Sequence, residues 1–314
     1  MESVKKIATR QGYGEALREL GAAHDNVVVF DADLAGSTQT AMFGKAFPDR
    51  HFNCGIAEGN MMAVAAGAAA MGMVAFASSF AMFAAGRAYE QVRNSIGYTG
   101  LNVKIGASHG GISVGEDGAS HQCLEDFALM RAIPGMVVMS PADAVEAKAM
   151  VKAAYEHQGP VYMRFGRSPV PVFHDEDSFA FEIGRGEVMR DGGDIAIIAN
   201  GLLVAEAVEA GELLAQRGLS ARIINMATIK PLDEELVLQA AAECGKIITC
   251  EEHSVIGGLG EAVCSLLGEK RPTPVKRIGV NDVFGHSGPA AALLEQFGLC
   301  AANIASVAEQ FARS

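Results

Sequence analysis

Short apolar runs alternating with longer helical stretches constrain this chain more than any other feature. In the first half the runs are VVVFDAD (27–33), MVAFASS (73–79), LNVKIGAS (101–108), GMVVMSP (135–141) and PVYMRFG (160–166). Between them lie TRQGYGEALRELGAA, a stretch that begins at Glu58, MFAAGRAYEQVRNSI and DAVEAKAMVKAAYEH, all of helical period. Strands joined through helices lie parallel, and the helices then cover both faces of the sheet. Residues 168 to about 193 break this rhythm with Pro, Gly and acids, as a linker does. The rhythm resumes with DIAIIANG, VAEAVEAGELLAQRG, SARIINMATIKP, a helix from Asp233, KIITCEEH, a helix from about Gly258, and PVKRIGV. The expected fold is therefore α/β: a parallel-sheet domain over 1–180 and a smaller α/β domain over 181–314. Ligands of such sheets bind beyond the carboxyl ends of the strands.

The formal net charge of −12 argues against a general nucleic-acid binder, which needs a basic face. Six cysteines show no CxxC pair and no metal-finger spacing, so a reducing cytoplasm is expected. The opening MESVKKIATRQGYGEAL lacks the apolar stretch of a signal peptide. From Gly59 to Gly86 no side chain is charged, a length that could span a bilayer. The run is mostly Ala, Gly and Met without Leu or Ile, and Ala gains little on insertion. It reads as a buried helix, a short strand and the start of another helix in a soluble core.

Two places concentrate chemistry. Glu58 stands at the head of that charge-free run. An acid there has a plain structural reading, because helix N-termini favour negative charge. It also has a functional one: desolvation favours the protonated form, which can share its proton with a ring nitrogen of a buried heterocycle. The second place is SHGGISVGEDGASHQ (108–122), which follows a strand directly and combines glycines with His109, Asp117 and His121. Glycine permits close backbone approach to a ligand, and histidine exchanges protons near neutrality. A turn-rich surface loop is the plain alternative, and the spacing fits no standard metal site.

GIAEGNMMAVAAGAAAMG and GEDGASHQ, spaced as they are, resemble the pyrimidine-binding domain of transketolases. ADLAGST near the start, FAMF, and the small C-terminal α/β domain fall in the family's order over most of the chain. The resemblance implies a thiamine-diphosphate pyrimidine-binding domain followed by a transketolase C-terminal domain, and thiamine diphosphate with Mg²⁺ as cofactors. It implies that Glu58 bonds N1′ of the aminopyrimidine and favours the imino form that takes the thiazolium C2 proton. By the same resemblance Asp33 lies near the cofactor, and Phe80 and Phe83 stack against the pyrimidine. Asp117 bonds a donor hydroxyl and His121 handles the sugar's oxygen protons. Arg10, Ser37 and His109 form the phosphate end with Arg164 or Arg167, of which Arg164 is preferred. Planar guanidinium groups suit phosphate.

The GDG motif that holds Mg²⁺ and the diphosphate in full-length members is missing. DGGD (191–194) is a linker turn, and VIGGLGEAV (255–263) reads as a helix-start turn without the dinucleotide fingerprint. The resemblance therefore implies half an enzyme. A separate N-terminal transketolase subunit would supply GDG, in a complex with two copies of each chain across a large apolar interface. The expected activity is transfer of a two-carbon ketol unit between sugar phosphates. Rival readings are the β subunit of a 2-oxo acid dehydrogenase, a deoxyxylulose phosphate synthase-like half, and a non-catalytic regulatory subunit.

Overall fold

The computed structural model describes residues 5–314, so the first four residues of the expected 1–180 domain lie outside it. Its strands are β1 (Lys6–Ala8), β2 (Val27–Asp31), β3 (His51–Asn53), β4 (Val74–Phe80), β5 (Val103–Ser108), β6 (Val137–Met139) and β7 (Val161–Phe165). The rest are β8 (Pro169–Pro171), β9 (Glu187–Arg190), β10 (Ile195–Ala199), β11 (Ala221–Asn225), β12 (Thr228–Lys230), β13 (Ile247–Ser254) and β14 (Val275–Val280). The larger sheet runs β12-β6-β7-β5-β4-β2-β3 and the smaller β14-β13-β10-β11-β9, while β1 and β8 pair separately. Both main sheets are parallel except for one edge strand each, β12 and β9. All five strands expected in the first half form, and the mixed α/β architecture stands.

Strand residues alternate between two cores, as pleating requires. On β2, Val27 and Val29 pack with Tyr13, Leu17 and Met150 from the helices Thr9–Ala23 and Ala144–Glu156. Val28 and Phe30 pack on the other face with Met61 and Met62 of the helix Glu58–Ala70. A strand buried on both faces needs continuous hydrophobicity, which is why these runs read as unbroken. Each fully buried large side chain contributes about 1.5–3 kcal/mol.

Three departures matter for the site. The stretch after β4 is not a regular α-helix. It winds as two π turns, Met82–Arg87 and Val92–Gly97, with Ala88 N–H donating to the Phe83 carbonyl at 3.1 Å. The wide turn buries Ala84 and Ala85 and leaves Phe83 and Arg87 on a cavity wall. Secondly, β12 follows the smaller sheet's β11 in the chain yet closes the larger sheet beside β6. Lys230 Nζ fastens it by donating to the carbonyls of Arg131 and Ile133, at 2.8 and 2.6 Å. Finally, the helix Glu58–Ala70 is buried on one side only, and Val64 and the following Met71 are exposed.

The connecting segment is pinned by His174. Its Nδ1 lies 2.9 Å from Asp143, which also caps the helix Ala144–Glu156, and its Nε2 lies 2.8 Å from Glu187 at the start of β9. Burial opposes a charge there, but the Asp143 and Glu187 carboxylates outweigh it and, with Glu146, raise the His174 pKa to about 10. The unfolded imidazole titrates near 6.5. The bridge's stabilisation is thus complete below about pH 6.5 and is lost as pH rises through about 10. Burial also raises Glu146 to about 7, so its change is finished before the upper half of that window. Calorimetry between about pH 8 and 10 should show the melting temperature of the wild type losing several degrees relative to that of His174→Gln. That difference leaves out the opposing contribution of buried Lys104, which is common to both. Parallel curves for the two proteins would refute the bridge.

Candidate active site at the seam of the two units

Glu58 is the first residue of its helix and is 1% exposed. The acid is not left alone among Ala and Met. Nη1 of Arg87 lies 3.1 and 3.0 Å from its two carboxylate oxygens. The same guanidinium lies over the Phe83 ring, 4.4 Å from its centroid. Sequence reading missed Arg87, although it is the first charge after the long uncharged run and so the nearest candidate counter-ion in sequence.

Aromatic rings from two distant segments gather beside this pair. Phe80 ends β4 and stacks on His109 at 3.9 Å, while Phe83 meets Phe80 at 5.9 Å and His121 edge-on at 5.2 Å. Phe83 and Arg87 line an open cavity of about 580 Å³ with Ser120 and Gln122, bordered on the far side by Ser254, Asp282, Val283 and Phe284 of the smaller unit. An apolar ring face, a buried acid reached through Arg87 and open space suit a flat heterocycle with a basic nitrogen. Among the described residues no cluster of three or more His, Cys, Asp or Glu could hold a metal.

A cationic corner lies nearby. Arg10 donates to the Ser37 carbonyl at 2.7 Å, and it is this carbonyl that Arg10 meets. Burial first, then the Arg167 charge, lowers the Arg10 pKa. His109 holds a left-handed backbone (φ 56) and pairs through Nδ1 with the Ser108 hydroxyl at 2.9 Å. Burial, and next the charges of Arg10 and Arg167, push its pKa down to about 3, so the ring is neutral. Two guanidinium groups close enough to repel, beside a neutral imidazole, favour an anion.

Other expected residues stand as follows. Asp117 is exposed at the end of the turn Ile112–Asp117, and His121 follows with Nδ1 2.9 Å from the Ser120 hydroxyl. Asp33 (φ 64) is exposed beyond β2, paired with Asn53 at 3.0 Å and outside the cavity lining. The neighbouring Asp31 organises that loop, accepting from Leu34 N–H, Thr38 and Thr40.

The preference for Arg164 over Arg167 is corrected. Arg164 is 5% exposed; its Nη2 donates to the Cys123 and Glu252 carbonyls at 3.3 and 2.8 Å, and its Nε lies 3.4 Å from Asp126. Burial works against its charge, but Asp126 and Glu252 prevail and raise its pKa. Its donors are committed inside the protein, whereas Arg167 is partly exposed and couples to Arg10 and His109. The glycines after His109 are corrected too. A Cβ on Gly110 would sit 1.9 Å from Arg164 Nε, and one on Gly111 2.3 Å from the Glu252 carboxyl. They admit those side chains, not a ligand. VIGGLGEAV is likewise a helix start: Glu251 accepts the N–H groups of Leu259 and Gly260 at 2.7 and 2.8 Å, so no phosphate is needed there.

A parallel α/β unit with an acid-and-aromatic cavity against a second, smaller α/β unit defines the class. The transketolase pyrimidine-binding domain model matches residues 5–172, and the transketolase C-terminal domain model matches 184–304. A chain named for a transketolase C-terminal section in Methanocaldococcus jannaschii is 52% identical over 298 residues, covering 94% of this chain and 93% of that one. A 6-deoxy-6-sulfo-D-fructose transketolase subunit of a Clostridium species is 42% identical, covering 96% and 93%. A solved split-gene transketolase, described as an inactive β4 tetramer, superposes with a TM-score of 0.91 at 53% identity, covering 97% and 98%. The chain belongs to the transketolase family and carries its pyrimidine-binding and C-terminal domains.

The two arginines should separate in denaturation experiments. Arg164→Ala leaves Asp126 buried without its counter-ion and should cost about 3–5 kcal/mol. Arg167→Ala, which loses a bond to the Val114 carbonyl and a loose pairing with Glu116, should cost no more than about 2 kcal/mol. Equal effects would overturn the assignment.

Proposed function

We propose that the chain is one subunit of a thiamine-diphosphate-dependent transketolase, moving a two-carbon ketol unit from a ketose phosphate to an aldose phosphate. Glu58, buried at a helix head beside the Phe80–Phe83–His109–His121 cluster, carries this reading. When bound, the cofactor supplies the electron sink that lets the bond beside a carbonyl break. Glu58 then holds the proton shared with N1′ of the pyrimidine, and Phe80 and Phe83 give the ring an apolar face. His121 moves protons on the sugar oxygens, Asp117 accepts a donor hydroxyl, and Asp33 lies at the cofactor's edge. Arg10 and Arg167, with Ser37 and neutral His109, take the phosphate end.

The diphosphate and Mg²⁺ fall to a partner chain bearing GDG, in an assembly with two copies of each subunit in the cytoplasm. An exposed apolar groove of about 390 Å³ supports that contact; Phe52, Val64 and Met71 line it. This surface is the outer flank of the helix that carries Glu58 at its head. The lengths and names of the related subunits favour the same division of the enzyme.

The purified chain should self-associate and show no turnover with Mg–thiamine diphosphate, and activity should appear when the GDG-bearing partner is added. Turnover by the single chain would refute the division. In the complex, Glu58→Ala should slow C2 proton exchange of the cofactor by at least about a hundredfold. An unchanged rate would favour a non-catalytic subunit. Carbon dioxide release from pyruvate, in place of ketol transfer between sugars, would move the assignment to a 2-oxo acid dehydrogenase or deoxyxylulose phosphate synthase type.

A further inference from the structure

The loop from Gly110 to Gln122 carries Asp117 and His121, yet much of what holds it belongs to the smaller unit. Glu252 on β13 reaches across and accepts the Ser113 N–H at 2.5 Å. The backbone carbonyl of the same residue accepts from Arg164 at 2.8 Å, and Arg164 also holds the Cys123 carbonyl at the loop's far end. Gly111 adopts φ 87 and has no Cβ, and the Glu252 carboxyl occupies that space. Further along, Gln122 Nε2 donates to the His286 carbonyl at 3.0 Å and to the Ile112 carbonyl at 3.2 Å. A Cβ on Gly118 would lie 2.5 Å from the Ser287 hydroxyl, so the loop's other turn also rests on the smaller unit. Leu124, just beyond, accepts from Ser254 N–H at 2.8 Å.

We propose that Glu252 is a positioning residue. It fixes the backbone of the loop that presents Asp117 and His121, so the C-terminal domain sets sugar binding without touching the sugar. The inference rests on the substrate roles proposed above for those two residues. Glu252 is 6% exposed and faces Ser113, Arg164 and Asp126. A carboxylate acceptor in such a dry setting makes a stronger tether than a neutral group. Glu58 lies on another element and is paired with Arg87, so proton sharing at the cofactor should be insensitive to the tether.

The test has two arms. In amide hydrogen exchange on the complex with its GDG-bearing partner, Glu252→Ala should speed exchange of residues 109–122 roughly tenfold or more, leaving 58–70 unchanged. Glu252→Gln, which keeps an oxygen for the Ser113 N–H, should restore much of the protection. In steady-state kinetics, Glu252→Ala should raise the donor KM by a similar factor and lower kcat with it, because both Asp117 and His121 ride on the loop, while cofactor C2 exchange changes less than threefold. Unchanged protection over 109–122, or faster exchange across the whole chain, would overturn the proposal. So would a loss confined to kcat. If Glu252→Ala does not fold, Gly111→Ala displaces the same carboxyl and should loosen the same segment; unaltered exchange there would count equally against the tether. A complex without ketol transfer but with the expected exchange pattern would sink the functional reading and leave the tether standing.

Discussion

One buried guanidinium organises much of this molecule. Arg164 ends inside the protein, between Asp126 of the larger unit and the Glu252 carbonyl of the smaller one, over the Phe127 ring at 4.6 Å. A charge taken out of water must be matched by neighbours at close range, or it unfolds what surrounds it. Meeting that requirement brings β7, the helix Asp126–Arg131 and β13 to one point. The cavity opens beside that point, and its walls come from both units. The crossing strand β12 reinforces the seam from the other edge of the sheet. The two units are therefore not beads on a linker, and the geometry of the site depends on how they are joined.

Glu58 and Arg164 solve the same electrostatic problem differently. Arg164 is surrounded by acceptors that cannot leave, which is what a structural charge needs. Glu58 is paired with a side chain that is itself half exposed, 52% against 1% for the acid. An ion pair with one end in water is worth little and rearranges readily. A carboxylate that must exchange partners during a reaction is better served by such a loose companion than by a rigid one.

Local periodicity carried most of the fold. Runs such as VVVFDAD and LNVKIGAS are unbroken because both faces of each strand are covered, and the structure places strands at Val27–Asp31 and Val103–Ser108 within them. What escaped reading was non-local. β12 is three residues long and gains its place by pairing with β6, nearly ninety positions earlier in the chain, and through Lys230 on the carbonyls of Arg131 and Ile133. The π turns after β4 carry no distinctive composition, and the contact of Phe83 with His121 joins segments nearly forty positions apart. The residue types at the site were legible, since an acid before an uncharged run and two histidines in one loop stand out. Their partners were not. Arg164 and Arg167 are three residues apart with similar neighbours, and only the three-dimensional surroundings separate an interior clamp from a partly exposed cation. The glycines at 110 and 111 look like ligand-binding residues until the side chains that fill their space are seen.

The Glu58 helix shows why the site and the proposed assembly belong together. A helix at a protein surface ordinarily has a polar face, and one that is apolar all round expects cover on every side. Here Met61, Met62, Ala65 and Ala69 pack on the sheet, yet the opposite face offers Val64 and then Met71 to solvent, with Phe52 beside it. Burying such a face would lower the free energy of the same helix that holds the acid at its head. A partner that covers the flank therefore stabilises the helix that holds Glu58, an acid already 1% exposed in the single chain. On this view the partner steadies the proton site rather than creating it, because one helix serves both.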